Sequence, residues 1–72
     1  MLTAEQLRAF RERHGYTQVR LARILGYRTQ HGDQNVIKME NGRGGIPGAI
    51  DRIVTAIDRS PNVRLVFEAL AT

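Results

Sequence analysis

Residues 26–42 read GYRTQHGDQNVIKMENG, and whether this run is loop or helix decides how many helices the chain has and what it displays. From Asp33 onward, Val36 and Met39 stand three apart, Glu40 follows, and Gly42 suits the left-handed residue that terminates a helix. The spacing predicts a helix from about Asp33 to Asn41, capped by Gly32 or Asp33, with Val36 and Met39 facing inward. Gln34, Asn35 and Lys38 then face out, with Asp33 at the N-terminal end. Tyr27 to Gly32 reads as the turn leading into this helix.

On the N-terminal side, Thr3 and Gln6 have the spacing of a capping box and Leu2 and Leu7 occupy the staple positions. A first helix is therefore expected from Ala4, with Leu7 and Phe10 inward, ending at Gly15. Thr17 caps a short second helix, with Tyr16 and Leu21 in staple positions. Val19, Leu21, Ala22 and Leu25 are its apolar residues before Gly26 closes it. On the C-terminal side, GRGGIPG (42–48) is the one linker-like cluster. Pro47 suits the first turn of a fourth helix carrying the stripe Ile50, Ile53, Val54, Ile57. Ser60 and Pro61 look like the cap and first residue of a fifth, with Val63, Val66, Phe67 and Leu70 at the same spacing. Few segments alternate with period two and no hairpin signal occurs, so the fold class is all-α: one domain of five helices.

Seventy-two residues build only a small core, and with no cysteine neither disulfides nor thiolate zinc sites can reinforce it. Helix packing or self-association is left to stabilise the chain. No apolar run approaches the roughly 18 residues that span a bilayer, and the N-terminus is a capped amphipathic stretch rather than a signal peptide, so a cytoplasmic protein with no membrane partner is expected. The formal charge is +4 with a pI near 10.7. Residues 1–45 hold Arg8, Arg11, Arg13, Arg20, Arg23, Arg28, Lys38 and Arg43 against Glu5, Glu12, Asp33 and Glu40, whereas residues 46–72 hold three charges of each sign. A basic half joined to a neutral half suggests a polyanion at one end and packing at the other. His14 and His31 are the only histidines and no HExxH spacing occurs, so no catalytic site, metal, cofactor or small-molecule ligand is expected. The outward side chains of the predicted 33–41 helix are of kinds that read base edges: Gln and Asn pair with adenine, and Lys reaches guanine acceptors.

Gly15-Tyr16-Thr17-Gln18, Leu21-Ala22, Leu25-Gly26, and after a gap Val36 and Met39-Glu40-Asn41-Gly42 resemble the Cro and lambda-repressor-like (XRE-type) helix-turn-helix proteins. The likeness covers residues 4 to about 58. It implies a compact five-helix lambda-repressor-like DNA-binding domain, with the helix-turn-helix at about 17–41 and C-terminal helices at about 47–71 for core and dimerisation. One departure is clear: Gly26 and Glu40 stand fourteen apart, about four more than in most members, so the turn 27–32 is extended.

Carried over position by position, the resemblance implies base contacts from Asp33, Gln34, Asn35 and Lys38 in the major groove. Asp33 either accepts from cytosine N4 or caps its helix. Backbone contacts are implied for Gln18, Asn41 and Arg43, with sequence-independent attraction from Arg20, Arg23 and Arg28, and the insert adds Gln30 and His31 near the DNA. Ile37 either meets a thymine methyl or packs under the extended turn. Glu40 is expected to pair with Arg8, Arg11 or Arg23, and some of the first-helix arginines Arg8, Arg11 and Arg13 are expected to do no more than solvate an outer face. Val63, Val66, Phe67 and Leu70 form either a dimer interface or an intramolecular stripe.

The expected function is that of a transcriptional regulator: a homodimeric repressor of double-stranded DNA that binds an inverted repeat and is controlled through its own concentration. Small phage or mobile-element regulators, including anti-CRISPR-associated repressors, are similar in size and layout. The alternative is an antitoxin of this fold that neutralises a partner protein, with DNA binding secondary.

Overall fold

The computed structural model describes residues 1–71. Five helices follow in order: α1 (Ala4–Arg13), α2 (Gln18–Ile24), α3 (Asp33–Glu40), α4 (Gly48–Arg59) and α5 (Pro61–Leu70). No strand occurs among the described residues, and none of the helices is long and apolar enough to cross a membrane.

Local chemistry sets most boundaries. The Thr3 hydroxyl accepts from the Gln6 amide at 3.1 Å while the Gln6 side chain accepts from the Thr3 amide at 2.9 Å, so the expected capping box opens α1. Thr17 accepts from Arg20 N at 3.0 Å to start α2, and Ser60 accepts from Val63 N at 3.3 Å ahead of Pro61 to start α5. Pro47 falls one position earlier than the sequence suggested. It is the extended cap residue of α4, and its carbonyl accepts the first helical hydrogen bond from Asp51 N at 3.1 Å. Gly15, Gly26 and Gly42 have φ of 70°, 96° and 75°. The residue after each sends its amide back to the carbonyl five positions earlier, Tyr16 to Arg11, Tyr27 to Ala22 and Arg43 to Lys38, the Schellman closure that only a left-handed residue permits cheaply.

α2 packs on α3, α1 on both α3 and α4, and α5 on α4 and α2. The core these contacts enclose includes Leu7, Phe10, Leu21, Val36, Val54 and Ile57, with half-buried Leu2, Tyr27, Ile46 and Ile53 packed against it. Two helices divide their apolar residues between core and surface. Val19 is 48% exposed, whereas Ile24 is buried. An α-helix turns about 100° per residue, so Val19, two positions before Leu21, falls on the opposite side, while Ile24 returns to the inner face. In α5 the predicted stripe divides: Val63 and Phe67 pack on the core, but Val66 and Leu70 are 56% and 59% exposed, as is Leu65 at 56%. No residue of α5 is buried.

Tyr16, just past α1, reaches α5. Its hydroxyl donates to the Glu68 carboxylate, and its ring stacks on His14 with centroids 5.6 Å apart and meets the Phe10 ring edge-on. Burial, and then the hydrogen bond and negative charge of Glu68, push the phenol up to about 12.

The turn 25–32 is closed by steric fit. Gly32 is buried, and a Cβ there would lie 2.6 Å from the Tyr27 carbonyl oxygen, a contact of backbone on backbone. Tyr27 is itself held by the Ala22 carbonyl and the core. Gly32→Ala is therefore expected to destabilise the protein by about 1–3 kcal/mol, the usual cost of overpacking, despite alanine's better helix propensity. Urea unfolding followed by circular dichroism measures this, and a midpoint equal to the wild type would show that the turn yields freely.

Candidate nucleic-acid interface

α3 presents two chemically distinct faces. Val36 and Met39 are 0% and 4% exposed and face the core, and Glu40 is buried beside them. Gln34 and Lys38 are exposed, and Asp33, Asn35 and Ile37 are half-buried. The cap residue is Gly32 and no side chain caps the helix, so Asp33 does not act as its cap. Its carboxylate stands in the first turn, where the helix dipole favours negative charge. The Asn35 amide donates to the Gly32 carbonyl at 3.4 Å, a weak bond that aims it back toward the turn.

The position of α3 is fixed by Glu40. Its carboxylate, 1% exposed, accepts two hydrogen bonds from Arg11, from Nε at 2.6 Å and Nη2 at 3.1 Å, and Arg8 Nε lies 3.7 Å away. Arg8 also donates to the Glu40 carbonyl at 3.2 Å, and Arg11 to the Tyr16 carbonyl at 3.1 Å. The hydrogen bond it donates to Glu40 holds the Arg11 guanidinium above the ordinary arginine range; burial opposes this and nearby negative charge adds to it. Of the three arginines expected as partners of Glu40, Arg8 and Arg11 take the role, and no ion pair joins it to Arg23. These two first-helix arginines therefore do more than solvate a surface.

The residues expected at the phosphate backbone divide into engaged and free groups. Gln18 is half-buried and its amide donates to Glu40 at 3.3 Å, so it belongs to the internal network. Arg28 is exposed and donates to the Leu70 carbonyl at 2.9 Å, tying the turn to the end of α5. Gln30, His31, Asn41 and Arg43 are exposed and Arg20 is half-buried. Among the described residues, no hydrogen bond or ion pair engages the side chains of Arg20, Arg23, Lys38 or Arg43. The 41–45 segment is exposed throughout, with Gly44 and Gly45 at φ 76° and 71°.

Between residues 15 and 48 the cations are Arg20, Arg23, Arg28, Lys38 and Arg43, against Asp33 and Glu40 alone. Since Glu40 is buried against Arg11, Asp33 is the one accessible acid within this stretch of sequence. A protein surface of this kind, with hydrogen-bonding amides beside unpaired cations, can hold a polyanion and read its edges. Sequence reasoning did not single out Arg11 among the candidate partners of Glu40, nor the link from Gln18. A signal was present: Arg11 follows Leu7 by four and Glu40 follows Val36 by four, so each charge lies on an inward stripe and needs a buried partner.

No family model matches the chain, and neither a curated protein nor a solved structure matches it.

Removing one partner of a buried ion pair costs about 3–5 kcal/mol, because the other charge stays behind unpaired. Glu40→Met is expected to lose stability on that scale, and Arg11→Met added to it should return part of the loss. Denaturant midpoints for the two single variants and the double variant read this coupling; additive losses would show that the pair is not a unit.

Proposed function

We propose that this protein is a sequence-specific DNA-binding transcriptional regulator, a homodimeric repressor that inserts α3 into the major groove of an inverted repeat. The observation that carries the reading is the outer face of α3, Gln34 and Lys38 with Asn35 beside them, together with Arg20, Arg23 and Arg43, whose side chains have no hydrogen-bonding or ionic partner among the described residues. The resemblance of residues 4–58 to XRE-type helix-turn-helix proteins supports it. So does the packing of α2 on α3, which braces the exposed helix from behind.

In the proposed mechanism Gln34, Asn35 and Lys38 meet base edges, with Asp33 at the groove end of the helix, while Asn41 and Arg43 contact phosphates. Gln18 acts indirectly, by holding Glu40 and so the angle of α3. Successive major grooves on one face of the duplex lie roughly 34 Å apart. One molecule measures 30 × 28 × 21 Å, a size of the same order as that spacing. Occupying that site would exclude polymerase by steric competition.

The surface proposed for self-association is α5. Leu65, Val66 and Leu70 are each more than half exposed, and the segment around them is neutral overall, so two basic molecules can meet there without repulsion. The same exposed apolar face supports a second reading, an antitoxin whose α5 covers a partner protein, with DNA binding secondary.

Gel shifts on DNA flanking the protein's own gene test the first reading, and equal affinity for every fragment would overturn it. Gln34→Ala is expected to cost about 1–3 kcal/mol at one base position and relax its specificity, while Arg43→Ala weakens all sequences alike. A uniform loss from Gln34→Ala would mean that α3 is not the reading helix. Val66→Asp, at an exposed position, should leave the fold intact and shift sedimentation from dimer to monomer at micromolar concentration. A Val66→Asp dimer as tight as the wild type would remove α5 from the interface.

A further inference from the structure

The extended turn is not a passive spacer. Between it and α2 lies a cleft of about 300 Å³ whose lining includes Val19 and Arg23 from α2, Arg28 and Gln30 from the turn, and Asp33 at the start of α3. Its contents are chemically uneven. Val19, 48% exposed, is an apolar residue that the core does not use, and two arginines line the same cleft against one half-buried acid, Asp33. Arg28 is held in place: its Nη2 donates to the Leu70 carbonyl, at the end of α5 where the helix dipole is negative. That single bond leaves the other donors of the fork free. Arg23 has no hydrogen-bonding or ionic partner among the described residues.

We propose that this cleft takes one backbone phosphate of the duplex read by α3, with Arg23 and Arg28 on the phosphate and Val19 against the adjoining deoxyribose. A phosphodiester chain alternates anionic phosphate with apolar sugar, and the cleft pairs guanidinium with exposed valine in the same way. Asp33 lowers the positive charge of the site without cancelling it, which leaves a net positive cleft. The turn thus widens the footprint beyond the base-reading helix, and the contact is sequence-independent. The assignment rests on the DNA-binding reading above and goes beyond it, in making the cleft, with Val19, part of the interface.

The test uses the full chain and a duplex that the wild type prefers. Arg23→Ala with Arg28→Ala is compared with Arg52→Ala, an exposed α4 arginine that changes the overall charge without touching the cleft. Each phosphate contact contributes about 0.9 to the slope of log affinity against log salt. The double variant is expected to lose about 0.9 of slope while Arg52→Ala keeps the wild-type value. Phosphate ethylation gives a second readout: one phosphate outside the base-read positions should block wild-type binding when ethylated and make no difference to the double variant. Arg28→Lys, which keeps the charge and loses the fork, should fall between the two. A double variant with the wild-type slope and ethylation pattern overturns the cleft assignment while leaving the repressor reading intact. A wild type that prefers no duplex overturns both.

Discussion

One carboxylate organises the half of the molecule that carries the candidate site. Glu40 is 1% exposed, and an ionised group so placed has lost nearly all its hydration, a cost of several kcal/mol that only directional partners can offset. Arg11 supplies a two-pronged contact, Arg8 grips the carbonyl of the same residue, and Gln18 adds an amide. Three helices, α1, α2 and α3, thereby converge on a single point. Apolar contact alone would let α3 roll or slide at small cost, since dispersion has little directionality, whereas a planar fork on a carboxylate does not tolerate rotation. The C-terminal end of α3 is fixed in this way, and its N-terminal end is fixed by the close approach of Gly32 to Tyr27. Gln34 and Lys38 on the outer face take no part in either restraint, so their side chains are free for other work while the backbone beneath them is held.

The same restraint sorts the charges. The cations of α1 meet acids: Arg11 and Arg8 meet Glu40 of α3, and Arg13 meets Asp58 of α4. Within residues 15–48 the sequence holds five cations against two acids, Asp33 and the buried Glu40. Exposed ion pairs are worth little individually, so the α1–α4 pairing adds modestly to stability. Its larger consequence is what it leaves over: Arg20, Arg23, Lys38 and Arg43 have no hydrogen-bonding or ionic side-chain partner among the described residues.

Most of the fold could be read from residues with local roles. Thr3 with Gln6, Thr17, and Ser60 with Pro61 start helices through bonds that span three residues, and Gly15, Gly26 and Gly42 stop them through bonds that span five. Such interactions are visible in the sequence because both partners lie in the same short window. What was not legible depended on distance. The choice of Arg11 joins residues 29 apart, and Gln18 reaches Glu40 across 22. Spacing could show that each charge faced inward but not which inward charges would meet. The split of the α5 stripe had a different cause. Helical spacing identified Val63, Val66, Phe67 and Leu70 as neighbours, yet the width of the stripe that gets buried depends on how far α4 and α2 wrap around α5, and they cover only one edge. The extended turn was legible as a length but not as a shape, since its closure depends on a backbone approach at Gly32 and an anchor at Leu70.

The stability of the isolated molecule does not account for the composition of the α2–α3 side. Gly44 and Gly45 lose more backbone entropy on ordering than any other residue would, and as an exposed pair they return no packing. Five cations against one accessible acid repel one another where a mixed surface would not. Val19 is left half in water on a helix of seven residues, where a polar side chain would be neutral or better. Each feature costs a little, and none is compensated by a contact within the chain. A phosphodiester backbone would compensate them together: the glycines would allow main chain to approach it closely, the cations would neutralise it, and the valine would cover its sugar. The polar outer face of α3 lies between these features in the sequence, as expected if the backbone contacts serve to orient a helix that reads bases.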